Sequence, residues 1–368
     1  MKISEHNNPV RVNYSNDWSR SCREEMANLR INNPIVISSK GGFDRLKLGS
    51  VFEDQYILKE ISLIPSFESC QDAIDRCLNH NFDGVIAIGG GSVMDTAKSV
   101  MSHLGTGLSI IEDLLKVTTR FKNRIPSIFI PTTHGTGSEV TKWGTIWNFQ
   151  EKKKYSISHP DLYPDVAILD GRLTLSLPME ISLITVLDAL SHSLESIWNK
   201  NKNPKSTGYA IESIGLIYEN INLLKKNSQD PKVRENLLSA SNIAGLAFSM
   251  TRTAAAHSIS YPLTIKFDIP HGIASSITLP SLLEVNGSAI ENELDAIYKQ
   301  LNISGISEFK DFIYSISKNY LKFSLSEWGI QHKDLRSLVS SSFTQGRMEN
   351  NIIDLDEEKV YSILNYCF

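Results

Sequence analysis

The residues of this chain that could do chemistry by type and spacing fall into two groups. In the second half, Asp188-Ala189-Leu190-Ser191-His192 sets a carboxylate and an imidazole four positions apart inside an apolar helical pattern. At that spacing both side chains leave one helix face. Alone, such a pair is more often a surface or capping pair than a metal site. Two more histidines follow: His257 in the helical run Thr253-Ala254-Ala255-Ala256-His257, and His271 between Pro270 and Gly272. A lone histidine among alanines is usually a satisfied core residue. Three imidazoles and one carboxylate together form a mixed nitrogen–oxygen set, which suits Fe(II) or Zn(II) better than magnesium or calcium. His6, His80, His103, His134, His159 and His332 have no comparable pairing, although His134 lies inside a polar turn described next.

In the first half, Ile86-Ala87-Ile88-Gly89-Gly90-Gly91-Ser92-Val93-Met94-Asp95-Thr96-Ala97-Lys98 passes from a strand pattern to a helix pattern through three glycines. Glycines let a backbone approach closely, and the helix that follows presents free N–H groups to a phosphate. A tight turn without a ligand reads the same way. A second turn, Pro131-Thr132-Thr133-His134-Gly135-Thr136-Gly137-Ser138-Glu139-Val140-Thr141, crowds hydroxyls and small residues at another strand end and makes an anion cradle. A third strand pattern ends in Ser38-Ser39-Lys40, where dinucleotide enzymes often carry an acid for the adenosine ribose. Ser39 and Lys40 would accommodate a 2′-phosphate that a carboxylate would repel, which leans the expectation to NADPH over NADH.

The elements that must position these groups follow from periodicity. Short apolar runs at 34–39, 56–61, 84–88 and 127–131 alternate with helical patterns such as 70–79 and 93–104. Strand, turn and helix in repetition predict a parallel sheet with helices on both faces and ligands at the carboxyl ends of its strands. From about 176 onward the patterns are helical: 179–199, 208–226, 233–260, 291–302, 307–324 and 335–343. The expected architecture is an α/β dinucleotide-binding domain over 1–172 and an all-helical metal and substrate domain over 173–368. The 368 residues suit two domains, and a formal net charge of -4 gives no global basic field for nucleic acid or membrane. Four cysteines without a CxxC pair read as free thiols. With no signal-type leader and no run of ~18 apolar residues, the expected place is the cytoplasm.

Together these motifs resemble the iron-containing (group III) alcohol dehydrogenases, in family order and over nearly the whole chain. The matching pieces are GGGSVMDTAK, PTTHGTGSEVT, LYPDVAILD, DALSHSLES, HSISYPLT and IPHG. The resemblance implies that Asp188, His192, His257 and His271 hold one divalent metal, Fe(II) favoured and Zn(II) possible. It also implies that Gly90, Gly91, Ser92 and Asp95 form the pyrophosphate loop, that Thr132, Thr133, Thr136 and Ser138 form the second cofactor turn, and that Lys154 reaches the nicotinamide ribose. The implied activity is reduction of a small aldehyde with NADPH or NADH, by a homodimer. Two departures stand out: Tyr261 replaces a histidine that many members carry four residues after the third ligand, and Ser39 replaces an aspartate. The run 251–264 is most similar to the phosphonoacetaldehyde reductase branch, which makes 2-hydroxyethylphosphonate. Expected catalytic residues are His257 and Tyr261, and expected substrate residues are Arg252, Thr253 and Tyr261. One continuous helix would place Thr253 and Tyr261 on the metal side of His257, with Arg252 roughly 140° around. Lys142 and Lys266 are further candidates for the anion. An uncharged aldehyde with Arg252 paired to a carboxylate, a sugar-phosphate cyclase of the dehydroquinate synthase type, and a non-catalytic scaffold are the competing readings.

Overall fold

Four short, mostly apolar runs of this chain become strands buried at every position, on both faces. These are β2 (Pro34–Ser38), β4 (Gly84–Gly89), β5 (Ser127–Pro131) and β8 (Val166–Leu169). Such runs belong in a parallel sheet covered by helices. The computed structural model, which describes residues 8–53, 55–116, 119–151 and 153–368, places them there. With β1 (Arg11–Tyr14) and β3 (Tyr56–Leu58) they form a six-stranded, wholly parallel sheet in the order β1-β8-β5-β4-β2-β3. From β2 the chain winds outward to β3, and from β4 it winds the other way to β5. The switch point therefore lies between β2 and β4, where Ser38 is in register with Ile88. The turns that follow, at Ser39 and at Gly90, open at adjacent carboxyl ends, where such sheets take their ligands. A separate antiparallel hairpin, β6 (Trp143–Asn148) with β7 (Lys153–Ser158), has no counterpart in the expected elements.

The second half is mostly helical. Asn203 and Asp230 cap the Pro204–Lys226 and Pro231–Thr251 helices, each with proline at the first helical position. These two helices and Met179–Ile197 supply much of one apolar core, from Leu183 to Ala247. The single helix expected over 233–260 is two. Arg252 ends the first at φ 65 and ψ 179, and the next helix, Ala255–Phe267, starts after Ala254. This is a conformation natural to glycine and costs a side-chain-bearing residue about 1–3 kcal/mol. Two donors hold it there: Asn199 Nδ2 and Thr251 Oγ1 donate to the Arg252 carbonyl at 3.2 and 2.9 Å. The Ala255–Phe267 helix runs on through Pro262.

The chain divides into two compact units, one of residues 1–133 and 138–174, the other of residues 134–137 and 175–368. Among the described residues no helix is long and apolar enough to cross a membrane.

Candidate metal and cofactor site

In the helical unit the Met179–Ile197 helix carries Asp188, His192 and Glu195 at spacings of four and three, which is one face. All three are buried although all are polar. His257 comes to this face from the first turn of the Ala255–Phe267 helix. Atoms able to bind a metal on Asp188, His192 and His257 lie within 4.8 Å of one another. His271 approaches from the next segment, its Nε2 3.9 Å from Asp188 Oδ1 and its side chain 35% exposed, so it closes the cluster on the more open side. Gly272 makes that approach possible: a Cβ there would fall 2.0 Å from the Ile184 carbonyl. Ser275 donates to Asp188 Oδ1 at 3.1 Å, and Ser191 donates to the Ser275 carbonyl at 2.8 Å, tying the 271–276 segment to the central helix.

The orientation of His257 tests the fit to a metal. Both oxygens of Glu195 are spent on it: one accepts from the His257 backbone N–H at 3.0 Å, the other contacts Nδ1 at 2.5 Å. Nε2 is thereby aimed at the cluster, 3.6 Å from Asp188 Oδ1, and it is buried without a hydrogen-bond partner among the described residues. A buried orphan nitrogen is costly unless something binds it. A carboxylate behind a ligating imidazole is the usual way to fix its tautomer and raise its basicity. His192 is held in the same manner, its Nδ1 3.3 Å from the Gly135 carbonyl and its ring stacked on Phe248. Burial opposes charge on Asp188, but His192, His257 and His271 outweigh it and hold the carboxyl far below its ordinary range. Burial pushes His192 down to about 4, so it is neutral and ready to donate a lone pair. Burial also opposes charge on His257, but Glu195 and Asp188 together raise it to about 9, so a cation arriving there displaces a proton. A buried carboxylate with three imidazoles fits a divalent transition-metal ion.

Glu195 was not among the expected site residues. Its signal was present: 188, 192 and 195 share a helical face, and an acid on the inward face of a largely apolar helix needs a partner. Tyr261 lies one turn beyond His257, its ring parallel to that of His271 at 6.5 Å between centroids. Thr253 is buried but precedes the helix, so the helical placement expected for it and for Arg252 is replaced by the break at Arg252. Lys266 is engaged with Ser337 and Ser341.

In the α/β unit, the Gly91–Thr106 helix starts at Gly90 with no side chain capping it, which leaves its first amides open. A Cβ on Gly90 would meet Thr133 at 3.1 Å, so the glycine turn and the threonine turn abut. Thr132 continues the sheet, its N–H donating to the Gly89 carbonyl at 3.0 Å. Ser39 caps the short helix that follows β2, accepting from the Gly42 N–H at 3.1 Å, while Lys40 is exposed beside it. Asp95 and Ser138 face each other instead of solvent: Ser138 Oγ and the Thr145 N–H both donate to the Asp95 carboxylate, at 2.9 and 3.0 Å. Lys98 completes this knot, its fully buried Nζ donating to Ser138, Thr141 and Trp143 oxygens at 2.7–2.9 Å. Burial raises the Asp95 carboxyl and lowers Lys98 to about 8, each against the pull of the other. Lys154, on β7, lies over the Trp147 ring at 5.7 Å and adds to the field at Asp95. Thr136 and His134 belong to the segment grouped with the helical unit. Burial and Arg234 hold the His134 ring down to about 3.

Residues 9–171 match iron-containing alcohol dehydrogenase, and residues 182–368 match the C-terminal part of the Fe-containing alcohol dehydrogenase family. Over 297 residues the chain is 32% identical to long-chain-alcohol dehydrogenase 1 of Geobacillus thermodenitrificans, covering 77% of this chain and 74% of that protein. It is 28% identical to the sulfoacetaldehyde reductase of Bilophila wadsworthia over 79% of this chain and 78% of that one. Among solved structures, sulfoacetaldehyde reductase from Bifidobacterium kashiwanohense with NAD+ superposes with a TM-score of 0.92, covering 100% of this chain and 99% of that one. At 24% identity that likeness speaks for the fold. An iron-containing alcohol dehydrogenase structure reaches 0.83 at 27% identity over 100% of this chain and 99% of that one.

Proposed function

The chain belongs to the iron-containing alcohol dehydrogenase family, an oxidoreductase acting on alcohols or aldehydes with a nicotinamide cofactor and a metal, and we propose that its substrate is phosphonoacetaldehyde, reduced to 2-hydroxyethylphosphonate. The observation that supports this reading is Arg252. Its guanidinium has no hydrogen-bond or ion-pair partner among the described residues, although its backbone is held in a costly conformation five residues before His257. Such local strain is concentrated at functional positions. Arginine is the side chain best shaped for a tetrahedral oxyanion.

When bound, the metal supplies Lewis acidity toward the carbonyl oxygen and the nicotinamide supplies or accepts the hydride. In this reading Asp188, His192, His257 and His271 are the metal ligands and Glu195 orients His257. The Gly90–Ser92 turn takes the pyrophosphate on open helix amides, with Thr132 and Thr133 beside it, and Thr136 is a further cofactor residue. Lys154 reaches the nicotinamide ribose, while Asp95 and Ser138 act by shaping the turn. Tyr261 Oη carries the proton to or from the substrate oxygen. Ser39 and Lys40 leave room for a 2′-phosphate, so NADPH serves at least as well as NADH, and two copies form the working assembly.

The deciding experiment compares kcat/KM for phosphonoacetaldehyde with that for propanal. A preference of at least about a hundredfold is expected for a site that pairs a guanidinium with the anion, and equal efficiency on propanal would overturn the assignment. Sulfoacetaldehyde is the second reading, favoured by the Bilophila relative, and belongs in the same assay.

A further inference from the structure

Arg252 does not stand alone. The segment 342–351 is stitched along the start of the Ala255–Phe267 helix. Ser258 Oγ donates to the Ser342 carbonyl at 2.5 Å and accepts from the Thr344 N–H at 2.9 Å. Asn350 Nδ2 donates to the Thr253 carbonyl at 2.9 Å and to the Gly346 carbonyl at 3.0 Å. These bonds fold the segment back at Gly346, whose φ of 77 is in the left-handed region. Two guanidinium groups meet at this glycine. Arg252 Nη1 is 4.0 Å from where a Gly346 Cβ would be, and Arg347 Nη1 donates to the Gly346 carbonyl at 2.8 Å.

Neither arginine has a carboxylate at ion-pair distance among the described residues. Glu349, two positions on, turns its carboxylate to the backbone, accepting from the Gly346 and Arg347 N–H groups at 2.5 and 3.3 Å. Glu349 offsets part of the Arg347 charge, and with neither guanidinium at ion-pair distance of a carboxylate among the described residues the turn keeps an excess of positive charge. Each is anchored from behind: Arg252 through its carbonyl to Asn199, Arg347 through the turn that Asn350 and Glu349 close. The turn is also bonded to the helix that bears His257.

We infer that Arg252 and Arg347 together form the subsite for the tetrahedral oxyanion of the substrate, with the 342–351 segment as the wall that fixes how far this charge lies from the reacting carbonyl. The inference rests on the anionic-substrate reading above and adds to it a second guanidinium and a length limit. Phosphonate and sulfonate share the recognition chemistry. Two forks match a dianion better than a monoanion, so phosphonate binds the more tightly.

The test uses the metal-loaded, full-length enzyme with NADPH and its best aldehyde, and measures competitive inhibition by ethylphosphonate and by ethanesulfonate. In the wild type both anions compete with the aldehyde, ethylphosphonate at the lower concentration. R252Q and R347Q each raise the ethylphosphonate inhibition constant at least about tenfold. R347K keeps the charge but not the fork and raises it at least about threefold. If neither anion inhibits the wild type, the anionic-substrate reading fails and this subsite fails with it. If the wild type is inhibited and R252Q responds while R347Q does not, the reading stands and the paired subsite is overturned. An unchanged inhibition constant in R347K overturns it as well, even should R347Q fail to fold.

Discussion

The α/β unit and the helical unit each bury a knot of charge, and the two knots are finished differently. Around Lys98 and Asp95 the polar groups are matched: the ammonium meets Ser138, Thr141 and Trp143, and both carboxylate oxygens meet donors from Ser138 and Thr145. Around Asp188 the hydrogen bonds stop one layer short. Glu195, Gly135 and Ser275 hold the outer atoms, and His257 Nε2 is left facing inward with no hydrogen-bond partner among the described residues. A saturated buried network fixes a shape, whereas a network held from behind with open lone pairs in front is built for a ligand. Both knots grow from motifs that look alike in one dimension, an acid and a base three or four apart on a helix.

Removing the carboxylate at the front of the open knot should have the largest effect. Asp188→Asn is expected to lose bound metal on elemental analysis and to drop kcat/KM by at least about 10³, with circular dichroism unchanged. A variant, or a chelated wild type, that keeps full activity would make the open cluster a structural polar core like the other. The closed knot should answer in stability instead. Lys98→Met leaves Asp95 buried without its partner and orphans carbonyls of Ser138 and Trp143, a change expected to lower unfolding free energy in urea by about 3–5 kcal/mol. Metal content should not change. A Lys98→Met protein that is as stable as the wild type would show the knot to be no clamp. Between these extremes lies Glu195→Gln, which removes the charge behind His257 and leaves the ligands in place. Metal affinity measured by chelator competition is expected to fall about 10–100-fold. An unchanged affinity would mean that Glu195 only fills space.

Much of this contrast could be read from residue order, and the rest could not, for physical reasons. Strands β2, β4 and β5 were legible because buried parallel strands must be apolar on both faces. β1 and the β6–β7 hairpin carry exposed polar residues such as Arg11 and Lys153, so their pattern looks like loop. The four metal-type residues stood out because polar groups in apolar helices are rare. The direction of each side chain did not stand out. Asp95 sits in a glycine-turn motif yet faces Thr145, since only the fold shows what lies across from it. The break at Arg252 was invisible because no glycine or proline marks it; contacts to Asn199, 53 positions away, impose it. Arg347 could not be linked to Arg252 at all, their meeting at Gly346 being a product of long-range packing.

The smallest expected effect probes the closed knot from inside. Burial lowers Lys98 to about 8 from an ordinary 10.5. Below about pH 8 the ammonium is charged in the folded and unfolded chain alike, and the desolvation cost is complete. Above 10.5 it is neutral in both. Between these limits the unfolded chain holds the extra proton, so this group makes stability rise with pH, by at most about 1.4 kcal/mol per unit. The buried thiols act in the opposite sense. Burial pushes Cys22, Cys77 and Cys367 up to about 12 from 9.0, so their contribution is complete below pH 9 and is lost as pH rises beyond it. Wild-type stability alone therefore mixes two trends. The difference between wild type and Lys98→Met cancels the thiols, which both proteins share, and should widen from pH 8 to pH 9.5. A flat difference over that range would mean that Asp95 compensates the ammonium fully and that neutralising the charge, more than burying it, governs the closed knot.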